Sequence, residues 1–572
     1  MTDTSRTSVT ASPTAAGSPP GPTASSAPSS AASSVRGTAP TAAPGGGLTV
    51  ATAVRGADLG RLVQDVLPLL LDWLPRQRWF SGKGRPITGI APATVTLLPG
   101  HRADAPLLLH LLLRVEQSSA DGVTGADLYQ LLLGAQSGSG PELPAAALIG
   151  RISGSPHDGL LAYDGAHDPA LTLRLLHFLT GGGSNGSGSN GGGSNGGGTL
   201  DAGTRSERLG PLRFRSLPGR ETNGLSGPGA SARVGTAEQS NTSIVFGDAA
   251  ILKLFRRISP GLNPDLELSL ALSSAGCTRV PAPLAWYEGD LPDAPDRPAT
   301  LGLLQRFLYG AQDGWEFALA HVQRLRTDPE WRGTRDGHPS DHITGNFSAE
   351  SFLLGRATAE VHLALARTLP VTVLDRSEIE ASADAMALRL DAAVLIVPEL
   401  ARHRAPLRLI FQRLAASARD GRLLRAQRVH GDLHLGQSMR TARGWALLDF
   451  EGEPAKALEE RRRPQPAVRD VAAMLRSFDY AAAHLVTELD PADPDRPRLA
   501  GLAATWALRN RAAFCAGYAA AGAEDPTADP VLLHAMETDK AVYEVVYEAR
   551  NRPDWIGIPM SAIIRLAEGA AR

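Results

Sequence analysis

Cysteine is nearly missing from this chain: Cys277 and Cys515 are the only two among 572 residues. Two thiols this far apart make neither a disulfide framework nor a cysteine-rich metal site, and such usage fits a reducing cytosol. Long apolar runs are missing too. Val66 to Leu71 contains Pro68, Leu107 to Leu113 is interrupted by His110, and both are too short to cross a bilayer. The N-terminus has no cationic segment followed by an apolar core, so no secretory signal is expected. Neither sign of charge dominates: 57 Lys and Arg stand against 59 Asp and Glu, for a net charge of −2. No basic face for nucleic acid is implied. No Gly-x-x-x-x-Gly-Lys-Ser/Thr loop occurs, so a nucleotide would not be held in the Walker manner. The expectation is a soluble, cytoplasmic protein with neither nucleic acid nor membrane as partner.

The chain is too long for a single core. Residues 1–47 are mostly Ser, Thr, Ala, Pro and Gly; they cannot bury enough surface to offset ordering entropy and read as a disordered tail. Residues 48–204 read as an α/β cap. Leu59, Leu62, Val63, Val66 and Leu70 recur at helical spacing, with Pro68 as an expected kink or restart. Strand-like runs follow at 93–97, 106–115 and 144–152, and a Gly/Ser/Asn insertion at 181–198 reads as flexible. A further Gly/Ser/Pro-rich segment lies at 218–232.

The pattern changes over 205–310. Ser243–Phe246 and Ala250–Phe255 predict two strands joined at Gly247-Asp248 by a two-residue hairpin turn. Asn263-Pro264 predicts a capped helix over 266–272, and 300–308 reads as a strand. From 311 to 572 helices dominate, broken by a short strand at 445–450. Strands first and helices afterwards predict an α+β, two-lobed plan of the protein-kinase type, preceded by the cap.

The chemistry concentrates in His430-Gly431-Asp432-Leu433-His434-Leu435-Gly436-Gln437 and in Asp449-Phe450-Glu451. Asp432 is the candidate base that takes a proton from an attacking hydroxyl. Gln437, five residues on, and Asp449, seventeen residues on, offer hard oxygens to Mg2+. Glu451 is a further metal candidate, with a plain ion pair as the alternative. A lone loop Asp or surface amide would carry little weight; the combination at this spacing does. His430 reads as a loop anchor, and zinc is excluded for want of a third ligand. Lys253, within a strand, is the candidate ATP phosphate clamp, with Glu267 as its ion-pair partner; the alternative is a solvated edge-strand lysine. Ser240, Asn241 and Thr242, ending the loop that starts at Gly235, could donate to phosphate. Gln305 and Phe307 are candidates for a hinge that holds adenine. Lys540, Tyr543, Glu544, Tyr547 and Asn551 share a helix face, polar and aromatic as sugar sites are, with Arg550, Arg552 and Trp555 nearby; half-buried packing tyrosines are the alternative. His434 could also touch the substrate.

Glu238 to Ser243, His430 to Gln437, Leu448-Asp449-Phe450-Glu451-Gly452-Glu453-Pro454, Arg469 to Ala472, Ser477 to Tyr480 and Tyr547 to Pro553 resemble strings of bacterial maltokinases. Leu74 to Lys83 is similar to the start of their cap. The resemblance spans about 50–572 and implies an aminoglycoside-phosphotransferase-like kinase. Its implied reaction is ATP-dependent phosphorylation of maltose at the anomeric hydroxyl, yielding a glycosyl donor for α-glucan and glycogen synthesis. It also implies association with trehalose synthase; a fusion to that enzyme is not expected, since cap, kinase fold and linkers account for the whole length. An aminoglycoside- or choline-type phosphotransferase and an inactive kinase-like scaffold are the competing expectations; intact Lys253, Asp432, Gln437 and Asp449 argue against the scaffold.

Overall fold

The computed structural model describes residues 56–100, 105–118, 124–181, 204–218, 225, 230–235, 240–327, 341–453 and 456–571. The 1–47 tail, nearly all of the 181–198 insertion, most of 218–232 and residues 236–239 of the loop before Ser240 lie outside them.

The expected amphipathic helix forms as α1 (Gly56–Trp73) and buries Leu62, Val63, Val66 and Leu70. Pro68 sits inside it without ending it; the residue is exposed, so the hydrogen bond it removes lies on the solvent side. The helix packs on an antiparallel sheet of β1 (Ile87–Leu97), β2 (Leu107–Ser118), β3 (Thr124–Gln136), β5 (Leu161–Asp164) and β4 (Leu148–Arg151), in that order, with α2 (Pro169–Leu179) following β5. Strand β2 is apolar almost throughout because both its faces are covered. Leu109, Leu111 and Leu113 join the core under α1, while Leu108 and Leu112 join a second core shared with the next sheet.

That next sheet runs β6 (Arg205–Leu209), β7 (Leu212–Ser216), β12 (Pro283–Leu291), β13 (Ala294–Arg306), β10 (Ala250–Phe255), β9 (Asn241–Phe246), β8 (Ala232–Val234). Its register pairs Phe246 with Ala250, so three residues connect β9 to β10 rather than two, opening at Gly247 with φ 52°. Strand β10 is interior to the sheet, flanked by β9 and β13. Alternation sends Ile244, Leu252 and Leu254 into the core shared with the cap and leaves Lys253 on the opposite face. Past Phe255 the chain continues into β11 (Arg257–Ile258), which pairs with β3 of the cap sheet. Asn263 then caps α3 (Pro264–Ser274), its side chain accepting from the Asp265 amide.

The rest is helical: α4 (Gly314–Thr327), α5 (Asp341–Thr368), α6 (Arg376–Ile396), α7 (Arg404–Arg419), α8 (Val468–Thr487), α9 (Arg496–Ala520), α10 (Pro530–Asn551) and α11 (Gly557–Ala571) around a large apolar core. A hairpin, Ser438–Thr441 and Gly444–Leu447, delivers Asp449 from its second strand. The architecture is the expected α+β kinase-like fold behind an α/β cap. Among the described residues no helix is long and apolar enough to cross a membrane.

Candidate active site

Two loops meet at the site, one around Asp432 and one around Asp449. Gly431 (φ 85°) and Gly452 (φ 71°) let them approach: a Cβ at Gly431 would stand 3.3 Å from the Gly452 Cα. The first loop is pinned from α8. The amides of His430 and Gly431 donate to Asp470 at 2.7 and 2.9 Å, and the Leu435 amide donates to Ser477 Oγ at 3.0 Å. Asp470 is fully buried and also meets His362 Nε2 at 2.9 Å. His430 Nε2 reaches the Leu448 carbonyl at 2.7 Å, so this histidine ties the two loops together through backbone.

Asp449 is the one non-glycine residue at positive φ (62°) among those described. Backbone of this kind costs on the order of 1 kcal/mol and clusters at functional sites. It aims the carboxylate at Lys253, whose Nζ lies 2.5 Å from Asp449 Oδ1, 2.6 Å from Glu451 Oε1 and 3.0 Å from Asp265 Oδ2. Gln437 donates to Asp449 Oδ2 at 3.1 Å. Burial pushes the Glu451 carboxyl up, despite Lys253, to about 7, with Asp449 and Asp265 adding to the rise. Burial also opposes ionisation of Asp449, but Lys253 outweighs it and holds that carboxyl low.

The ion-pair partner of Lys253 on α3 is Asp265, not Glu267. Glu267 instead meets Arg428 at 2.8 Å and Arg462 at 2.9 Å. Two residues along a helix is about 200° of rotation, so the two carboxylates face different neighbours. Asp265 Oδ1 also accepts from the Phe450 amide at 3.0 Å, so one buried carboxylate holds both the lysine and the Asp-Phe-Glu loop. Its signal in sequence was its place in the first turn of a capped helix.

Two further expectations change. Thr242 lies in β9 with its hydroxyl accepting from Arg256 Nε at 2.8 Å, away from the Lys253 face. Asn241 next to it does reach the site, donating to Glu451 Oε1 at 2.8 Å; Ser240 is exposed beside it. The Phe307 amide donates to the Ala249 carbonyl at 2.9 Å, which removes it as an adenine donor, and the Gln305 side chain is taken up by Ser269 at 3.1 Å.

On the other side of Asp432 stands α10. Lys540 Nζ lies 3.3 Å from Asp432 Oδ1 and 4.0 Å from Glu453 Oε1. Burial alone would raise the Asp432 carboxyl; Lys540, His434 and His430 outweigh it and hold it below the usual range. Burial likewise acts to lower Lys540, but Asp432, Glu453 and Glu544 raise it, so it stays charged. Burial holds the His434 imidazole below its usual range, and its Nδ1 accepts from the Gly436 amide at 3.1 Å. Tyr543 and Tyr547 stack at 6.3 Å, part-exposed, with the Lys540 ammonium 5.1 Å from the Tyr543 ring. Asn551 is exposed one turn on, its amide on the Tyr547 carbonyl. Glu544 leaves this set: it is buried against α8 and paired with Arg476 at 2.9 Å. Glu453, which the sequence reading passed over, is held by Lys456 at 2.8 Å and Arg469 at 3.4 Å. A cavity of about 650 Å3 opens behind Gly431 and Glu453, floored by Met386 and Met536. A smaller one shares Gly431, Glu453 and Arg469 with it and adds Lys540 and Tyr543.

Known proteins resemble this chain in cap and fold. Residues 73–168 match the maltokinase N-terminal cap domain. A glucosamine kinase of Mycolicibacterium smegmatis is 29% identical over 58% of this chain and 79% of its own. One of Streptacidiphilus jiangxiensis is 29% identical over 56% of this chain and 70% of its own. The solved structure of a glucosamine kinase in complex with glucosamine, ADP and inorganic phosphate superposes with a TM-score of 0.55 at 20% identity, covering 87% of this chain and 98% of that one. Cap match and superposition together show a kinase-like fold behind a cap similar to the maltokinase N-terminal cap domain, with glucosamine kinases among the proteins this chain is similar to.

Proposed function

We propose that the chain transfers the γ-phosphoryl group of ATP to the anomeric hydroxyl of maltose. The observation that carries this is the charge balance around Asp432. Lys540, Lys456 and Arg469 face Asp432 and Glu453, and Glu544 is consumed by Arg476. Asp432, Glu453 and Glu544 each already face a cation, while the Tyr543–Tyr547 stack offers ring faces to a neutral sugar. The adjoining cavity is of a size that holds a disaccharide. The cap match and the Leu448–Pro454 string support the same reading. A trehalose-isomerising enzyme would be the natural source of maltose.

In this reading Lys253 leaves its carboxylates for the α- and β-phosphates. Asp432 orients the hydroxyl and takes its proton as the bond to phosphorus forms. Asp449, Glu451 and Asp265 bring carboxylate oxygens within 4.8 Å of one another around an ammonium, which is a donor set that fits Mg2+, with Gln437 adjoining. The cation would neutralise charge on the transferring phosphate.

Glucosamine is the second reading, favoured by the names of both curated relatives. Purified protein with ATP and magnesium is offered maltose, glucosamine and glucose, and both ADP release and product mass are followed. Maltose turnover with loss of reducing power, the mark of an anomeric phosphate, is expected. A higher kcat/KM on glucosamine overturns the maltose assignment and leaves the sugar-kinase reading in place.

A further inference from the structure

The cap and the phosphate clamp sit on opposite faces of one strand pair. Arg256 follows Lys253 by three residues on the same chain segment and is fully buried. Its guanidinium meets Asp164 of the cap strand β5 at 2.5 Å, donates to Thr242 Oγ1 at 2.8 Å and to the Gln130 carbonyl at 3.4 Å, and lies 4.7 Å from the Trp79 ring. Gln130, on cap strand β3, in turn donates to the carbonyls of Phe255 at 2.6 Å and Leu301 at 2.8 Å. On the other face of the same strands, Asn241 holds Glu451, and Glu451 meets Lys253. Thr242 and Asn241 are consecutive, as are the rungs they form: Thr242 opposite Leu254 and Asn241 opposite Phe255. A shift of Thr242 therefore moves Asn241 with it, because a strand's pleat couples neighbours rigidly.

We propose that Arg256 is a positioning residue through which the cap sets nucleotide affinity: Asp164 fixes Arg256, Arg256 fixes Thr242, and this strand pair fixes Asn241, Glu451 and Lys253 on the cleft face. The proposal rests on Lys253 being the phosphate clamp. Arg256 touches no substrate. A buried charge with a cap carboxylate, a cap carbonyl and a β9 hydroxyl as partners is costly to assemble, and a purely apolar contact would have joined the two sheets without one.

The test uses the full chain with Thr242→Val, Thr242→Ser, Asp164→Asn and, as a control, Arg257→Ala. Arg257 ties the same crossing to the cap through a part-exposed pair with Asp127 at 2.7 Å but lies outside the network. Affinity for a magnesium–ATP analogue is read by calorimetry, and KM for ATP and for sugar by steady-state kinetics. Thr242→Val and Asp164→Asn are expected to weaken nucleotide binding roughly tenfold, within the usual range of coupling between sites. Sugar KM stays level, and Thr242→Ser and Arg257→Ala bind as the parent does. If Asp164→Asn fails to fold, the Val/Ser pair decides. Parent-like nucleotide affinity in Thr242→Val overturns the inference, as does an equal loss for both substrates. A parent chain that binds no nucleotide sinks the clamp reading itself and this inference with it.

Discussion

Lys253 and Lys540 are the same device used twice with different charge counts. Each is a buried ammonium set against a carboxylate assigned to the reaction, Asp449 in one case and Asp432 in the other. Around Lys253 stand three carboxylates, with Arg461 as far as 3.9 Å from Glu451. Around Asp432 and Glu453 the cations are in the majority. The first region has more carboxylates than cations and the second more cations than carboxylates; on the proposed reading this suits a divalent ion at the one and a neutral acceptor at the other. On that reading local charge count, more than fold, separates a nucleotide end from a sugar end.

The strongest way to break that contrast is at the base. Asp432→Asn is expected to lower kcat by roughly 10²–10⁴-fold, with the calorimetric affinity for nucleotide unchanged; retained turnover removes Asp432 from its role. Asp449→Ala should act on the other end, weakening magnesium–nucleotide binding by about 10²-fold while sugar KM holds, since truncating one ligand of a charged site costs several kcal/mol. Tyr547→Ala sharpens the acceptor side: sugar KM rises about tenfold, of the order of one lost ring contact, and ATP KM stays put.

Two pH measurements follow with smaller effects. Activity needs Asp432 ionised, so it falls as pH drops through that carboxyl's pKa. Lys540→Met removes the nearest cation, the pKa rises, and the acid limb of kcat/KM moves to higher pH. Glu451 titrates at about 7 in the free protein, and a cation takes it as carboxylate. Magnesium–nucleotide binding should therefore tighten as pH rises toward 7 and level off above it, with a fraction of a proton released near neutrality. Calorimetry in buffers of different ionisation enthalpy reads that proton.

The candidate catalytic segment was legible because its members are close along the chain: Gln437 and Asp449 meet through one short hairpin, of which only the second strand was expected. The strands at 243–246 and 250–255 and the Asn263 cap were legible for the same local reason, though the first strand starts at Asn241, inside the expected loop. Partners brought by other elements were not. Asp265 rather than Glu267, Thr242 turned to the cap, Glu544 turned to Arg476 and the Phe307 amide spent on Ala249 each depend on which face of an element meets which neighbour. Asp470 and Glu453 lay within strings that carried the family resemblance, but nothing in their local pattern gave them a role.

By itself, then, the sequence determined the main strands and helices, the two loops proposed as reactive and the residue types that would serve phosphoryl transfer, because periodicity, turns and short motifs are properties of neighbours in the chain. Tertiary structure alone decided which carboxylate holds which cation, and so the charge left for substrates at each end. Those pairings join residues up to 198 positions apart, as Lys253 and Glu451 do, and arise only when packed faces settle which side chains share a desolvated space.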